Sequence, residues 1–444
     1  MNKNIKLAVA GAILATASVA NAGIVIPAGE WTLDVSGNVN TYASWSKPKG
    51  NASITGGLAT TYEGVNGTNN TGYNNSTMKF GNGLLPNFLS IGGSTRQNDL
   101  DVAFVISLQP GSAQNSALNQ VGSQDVGTTR GANGGLNNRQ AFITVGDKSW
   151  GSVKIGKDLG IFASDAILND ITLLGVGGAY AGAAGNTSLG RIGFGYIYAD
   201  WKPQIAYTTP NFSGLQATVG ISQAFAVYGD SAAGGSAASA ATSVASSYTN
   251  SAPAYEGKAS YAFNANGVDG KIWVSGIAQK VGSMKLGISG TTVGTLAAVY
   301  NDDTTAYGGD IGANVKVAGF DLTGYYYSGS GLGTTGQFLN AYGARTGGGV
   351  EARDSQGGYV QAKYTLPTKT IAALSWGRSQ LDQASGEATN TSLVDTNDMW
   401  DAMLIHPLTK HLNLVAEYSN QQSENHKGER NTANVGSLGA ILFF

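Results

Sequence analysis

From Trp31 to the last residue, Phe444, apolar side chains recur at every second position, and that period confines the chain to β-strands with one greasy and one wet face. Val35 and Val39 alternate with Ser36, Asn38 and Asn40, and Phe104, Ile106 and Leu108 alternate with Ser107. Leu215, Ala217, Val219 and Ile221 share one face opposite Gln216, Thr218 and Ser222. The same pattern returns in Ile311 to Val317, in Val360 to Tyr364 and in Leu412 to Tyr418. A soluble sandwich explains one such strand, but a whole domain of them should bury faces dominated by Val, Ile and Leu.

Composition removes the other options. Charged residues make up 12% of the chain, against about 25% in globular proteins, and 65 of the 444 residues are Gly. A mean hydropathy of -0.08 is too polar for a helical membrane bundle, and beyond the first 22 residues no run of 18 apolar residues offers a helical span. A hydrophobic fraction of 42% excludes disorder. Without cysteine there is no disulfide scaffold and no thiolate metal site. The net charge of -2 lacks the basic footprint of a nucleic-acid binder, and no metal or organic cofactor is implied.

The N-terminus reads as an export signal. Lys3 and Lys6 precede the apolar stretch Leu7 to Ala20, and Ala20-Asn21-Ala22 has the small-x-small cleavage pattern, so residues 1–22 are a leader cut after Ala22 and 23–444 are one barrel domain.

Connections alternate between short and long. Short ones fall at 147–150, 210–214, 265–270, 318–319, 366–369 and 407–410; long ones, rich in Gly, Ser, Asn and Ala, fall at 46–83, 110–137, 158–188, 228–256, 329–356, 380–397 and 421–431. Tight turns at one end and long loops at the other are the pattern of a transmembrane antiparallel β-barrel. Closure is obligatory, because each unpaired backbone group facing hydrocarbon costs several kcal/mol. Counting back from the C-terminus gives eighteen strands, with 284–290 and 295–300 the weakest pair, and sixteen if these two are merged and their neighbours adjusted. A barrel of that size is too wide for side chains to fill and leaves a channel.

Leu438, Ala440, Leu442 and Phe444 lie on one face of the last strand. A terminal aromatic closing an alternating strand resembles the signal read by the assembly machinery of Gram-negative outer-membrane barrels. Tyr325 to Tyr327, Phe443 with Phe444, and Tyr196 with Tyr198 cluster near strand ends, as aromatic girdles do.

The segment Asn138-Arg139-Gln140-Ala141-Phe142-Ile143, Gly151-Ser152-Val153-Lys154-Ile155-Gly156-Lys157-Asp158-Leu159-Gly160, Asp165-Ala166 and Gly177-Gly178, and the turn Tyr207-Thr208-Thr209-Pro210-Asn211-Phe212-Ser213-Gly214, resemble the general porins of β- and γ-proteobacteria. The resemblance implies a sixteen-stranded trimer embedded in outer-membrane lipid and lipopolysaccharide, with a loop at about 158–188 folded inward as a constriction. It implies a basic wall of Arg139, Lys157 and a third residue, Arg191 or Lys202, facing loop acids Asp158, Asp165 and Asp170. Two departures stand out: the acidic loop tip is replaced by Leu174-Gly175-Val176-Gly177-Gly178, and the early strand lacks a wall Arg at Phe88 to Gly93. The eyelet is therefore expected to be wider, less charged and less ion-selective than usual.

The expected function is passive diffusion of small hydrophilic solutes and ions across the outer membrane. An eighteen-stranded, substrate-specific sugar channel would need a line of aromatics down the lumen, whereas most aromatics are assigned outward. A structural or adhesive surface barrel is a third reading, suggested by the uncharged loop at 231–252. Catalysis is not expected, because His406, His411 and His426 sit in no nucleophile or metal motif.

Overall fold

The computed structural model describes residues 23–59, 76–112, 136–178, 187–225, 243–246, 252–282, 284–287, 298–300, 304–345, 349–387 and 390–444. The leader and its cleavage point lie outside the described residues, as does most of 231–252.

Sixteen antiparallel strands close into a barrel. They are β1 (Trp31–Lys49), β2 (Phe88–Gln97), β3 (Leu100–Pro110), β4 (Leu136–Asp147), β5 (Gly151–Leu159), β6 (Trp201–Thr208), β7 (Leu215–Ser222) and β8 (Ala254–Ala265). There follow β9 (Val268–Val281), β10 (Thr304–Val317), β11 (Phe320–Ser330), β12 (Asp354–Thr365), β13 (Ile371–Leu381), β14 (Val394–Pro407), β15 (Leu412–Asn425) and β16 (Arg430–Phe443). Each pairs with its neighbours in sequence, and the seam closes where Asn38 to Lys49 of β1 run against Phe443 to Thr432 of β16. Two short strands complete β1: Ile24–Ala28 pairs with its first half, and Thr77–Gly81 continues the edge that β2 occupies lower down.

The tally of eighteen is thus corrected to sixteen. Met284–Gly287 and Ala298–Tyr300 alternate like wall strands, but they pair with each other and Met284–Gly287 pairs with Ser243–Ser246, forming a small sheet separate from the barrel sheet. The expected strand at 189–209 is also shorter, since only Trp201–Thr208 joins the wall and the preceding residues belong to the loop before it.

The tight turns follow local chemistry. Asn98-Asp99, Asn266-Gly267 and Ala318-Gly319 all have positive φ at both positions, the requirement of a two-residue hairpin that matches strand twist.

Alternation holds at the lipid face. Val39, Ile106, Ile143, Val219, Ile311, Val360, Leu374, Leu404 and Leu438 are all exposed on the outside, while Ser107, Gln361, Asn413 and Glu417 are buried inside. The girdles are composed differently from the sequence expectation. Tyr255, Tyr307, Trp400 and Tyr418 are exposed toward the long-loop end, and Phe212, Tyr261 and Phe320 toward the short-turn end. Of the expected members, Tyr326 is exposed, whereas Tyr196, Tyr325, Tyr327 and Phe443 are buried within the barrel. There Tyr325 touches Tyr327 and Tyr359, and Tyr359 touches Tyr196. Inward aromatics have something to pack against because the lumen is not empty. Phe162, Ala166, Ile192, Tyr196 and Ile197, all from the segment between β5 and β6, form one apolar cluster with Trp273, Tyr325, Tyr327 and Tyr359 of the wall.

Candidate functional site

Residues 160–178 and 187–200 fold back into the lumen as an internal brace. Its described residues include the helix α1 (Ser164–Asn169) and a short 3-10 turn at Ile171–Leu174. So short a helix is not stable by itself; wall side chains hold it. The backbone N–H groups of Ile161 and Phe162 each donate to one carboxylate oxygen of Glu256 at 2.8 Å, and that of Ala163 donates to Asp310 at 3.2 Å. Ile171 N–H donates to Gln361 at 2.7 Å, and Val176 and Gly177 donate to Glu417 at 2.6 and 3.0 Å. Buried loop backbone needs acceptors and buried carboxylates need donors, so each satisfies the other.

The expected site residues divide into two groups. Arg191, Lys202 and Asp170 are buried clamps. Arg191 stands on the brace, not on the wall; its guanidinium donates to Met399 carbonyl at 3.2 Å and to Ser375, and its Nε lies 3.8 Å from Asp170. Asp170 also accepts from Thr172 N–H at 3.0 Å and from the Tyr196 hydroxyl at 2.9 Å. Lys202 on β6 is bound by Glu256, and donates to Gln337 at 2.7 Å.

The second group borders open space. Asp158 is the penultimate residue of β5, so it belongs to the wall; it accepts from Gln140 at 2.9 Å and from Lys154. Asp165 on α1 is paired with Lys271 and, at 2.8 Å, with Lys258. Burial favours its neutral acid, but the two ammonium groups outweigh this and hold its carboxyl below the usual carboxylate range. Lys157 shares the outward register of Ile155, pairs across to Ala141, and donates to Asn138 carbonyl at 2.9 Å near the outer end of the wall.

Arg139 is placed by an irregularity. In the β3–β4 ladder Ser107 pairs with Gln140 and Leu108 with Asn138, so Arg139 is the residue skipped. Its N–H donates to the Gln109 side chain at 2.9 Å, and its guanidinium carbon lies 5.9 Å from the ring centroid of Trp201. A bulge of this kind re-aims a side chain, and both Arg139 and Gln140 border the same cavity.

Among the described residues, two of the cavities flank the brace. The inner one, about 890 Å³, opens among the short turns and is lined by Lys154, Asp158, Asp165, Lys258, Lys271, Asp321 and Lys363. The outer one, about 820 Å³, lies between the brace and β4–β5 and includes Arg139, Lys157, Trp201 and Asp200. Leu159 and Leu168 stand between them and border both. The wall lysines Lys154, Lys258 and Lys271 were missed as site residues in the sequence. Their signal was their place on the polar face of strands, which does not say which of many lumen charges faces the brace.

A Gram-negative porin family matches residues 8–382. The chain belongs to the Gram-negative porin family. No curated protein matches it. Among solved structures the porin resembles the outer-membrane channel DcaP of Acinetobacter baumannii, with 17% identity, a TM-score of 0.65, and 96% of this chain and 100% of that one covered. It also resembles the anion-selective porin from Comamonas acidovorans, at 13% identity, a TM-score of 0.55, and coverage of 94% and 100%. A third match is Salmonella typhi OmpF in complex with daunomycin, at 13% identity, a TM-score of 0.53, and coverage of 95% and 100%. The porin is an outer-membrane channel for passive diffusion, built as a closed barrel whose lipid face is apolar and whose lumen is polar.

Proposed function

We propose that solutes cross this porin from the outer cavity past Leu159 and Leu168 into the inner cavity, with Arg139, Asp158 and Asp165, joined by Lys154, Lys258 and Lys271, setting the field along the way. The observation that carries this reading is that Leu159 of β5 and Leu168 of the brace line both cavities, and that no other described residue does. Opposed charges in a narrow gap favour polar solutes that keep their hydration. In the inner cavity Lys154, Lys258, Lys271, Lys316 and Lys363 face Asp158, Asp165, Asp269 and Asp321; most are paired, and the excess is one cation. The channel then favours anions weakly. Lys157, Arg191, Lys202 and Asp170 act in its architecture: the first at the outer rim, the others as clamps.

Transport in place of catalysis is supported by the histidines, since His406 and His411 stand at short turns and His426 donates from its ring Nε2 to the Leu381 carbonyl at the long-loop end, outside both cavities. We also propose a homotrimer in lipopolysaccharide-containing membrane, assembled through recognition of the last strand and Phe444. Planar-bilayer recordings test the pathway. Ohmic conductance with a small anion-favouring reversal potential in a KCl gradient supports it, and a silent membrane or strong cation preference overturns it.

A further inference from the structure

The outer cavity is not the lining that a simple water-filled passage requires. Its floor is apolar: Leu84, Leu159, Ile167, Leu168, Leu173 and Ile192 converge there from the brace, β5 and the segment before β2. Arg139 borders the same cavity, as does Lys157 at its rim. Among the described residues neither is paired with a carboxylate; Arg139 has the Trp201 ring and Lys157 has a backbone carbonyl. The acid nearest them in the lining, Asp200, is engaged by the N–H of Trp201 at 2.6 Å. The β-bulge at Arg139 turns into this space a guanidinium that regular alternation would have sent to the opposite face.

We propose that this cavity is a binding subsite for compact apolar monocarboxylates, with the carboxylate on Arg139 and the ring or short hydrocarbon body on the leucine floor. The inference rests on the passage of solutes through the outer cavity and names the class that the cavity retains longest. A small hydrophilic anion gains only the charge contact, and a neutral aromatic gains only the floor. An aromatic acid gains both, and its ring also fits beside the Trp201 face. The guanidinium is suited to this because it binds a carboxylate through two parallel N–H groups while keeping its own face on an aromatic ring. A volume of about 820 Å³ lies within the range of small-molecule pockets.

The test uses the full-length mature porin in detergent and in planar bilayers, with benzoate as probe and acetate and benzamide as controls. Calorimetric titration should show saturable binding of benzoate at least tenfold tighter than either control, and bilayer current in KCl should show benzoate-dependent interruptions that acetate does not cause. Arg139→Gln should weaken benzoate binding at least tenfold, and Leu168→Asn should narrow the gap between benzoate and acetate. Benzoate that behaves like acetate in wild-type protein overturns the subsite, whatever the variants do. Conductance without benzoate binding overturns the subsite and leaves the channel standing; benzoate binding in a silent membrane supports the subsite and overturns the pathway.

Discussion

The hydroxyl of Tyr359 on β12 donates to the carbonyl oxygen of Ala166 on α1 at 2.8 Å, across 193 residues of sequence. Both partners are buried, so the bond fixes α1 of the brace to the wall at a point where water cannot replace it. Tyr359→Phe leaves that carbonyl unsatisfied and is expected to cost about 1–3 kcal/mol. A detergent unfolding titration checks the loss, and increased open-channel noise should accompany it.

Asp165 pairs with both Lys258 and Lys271 beside the inner cavity and offsets one of their two charges. Asp165→Asn leaves two ammonium groups facing the passage and is expected to raise the chloride-to-potassium permeability ratio about twofold. Reversal potentials in a tenfold KCl gradient measure it. An unchanged ratio would place these charges outside the ion path.

The same carboxylate sets an acid limit. Its value is depressed in the folded state, so its contribution is present at and above the ordinary value of 3.8 and is lost as pH falls through the lower folded value. Between pH 7 and pH 5 the tether should therefore hold. Well below pH 3.8 wild-type channel noise should rise toward that of Asp165→Asn, and the difference between the two proteins should vanish.

The seam that closes the barrel ends at Gly37 and Phe444, whose backbone groups exchange hydrogen bonds of 2.9 and 3.0 Å. A Cβ at Gly37 would lie 2.2 Å from the carbonyl oxygen of Phe88 and 2.8 Å from the Phe444 ring. Gly37→Val, and deletion of Phe444, should each cut the yield of heat-modifiable folded barrel severalfold. Gly324→Ala, where nothing lies within 4 Å of the added carbon, should leave the yield unchanged.

The tip of the brace depends on Gly177, which has φ of 58° and would place a Cβ 2.6 Å from the backbone of Gly190. Gly177→Val combines a disfavoured backbone conformation with a clash against main chain. It should release Val176 and Gly177 from Glu417 without opening the barrel, which limited proteolysis between residues 160 and 200 will report while the heat-modifiable band persists.

Period two along the chain settled the class of fold and the lipid-facing side chains, because each face of a strand meets one solvent and must be composed for it. The two-residue turn at Ala318-Gly319 and the apolar row ending at Phe444 were legible for the same local reason. The number of wall strands was not, because Met284–Gly287 and Ala298–Tyr300 carry the same alternation as the wall and only their choice of partner excludes them. Nor did alternation tell a tyrosine facing lipid, such as Tyr326, from Tyr325 and Tyr327, which the brace buries. The charges divided in the same way. Arg191, Lys202 and Asp170 became interior clamps, and Arg139 turned into the outer cavity through one unpaired residue in a ladder. A strand's own residues fix what each face can tolerate, whereas a bulge, a partner strand and a returning loop are contacts made over long sequence distances, and these decide which tolerated position becomes part of the passage.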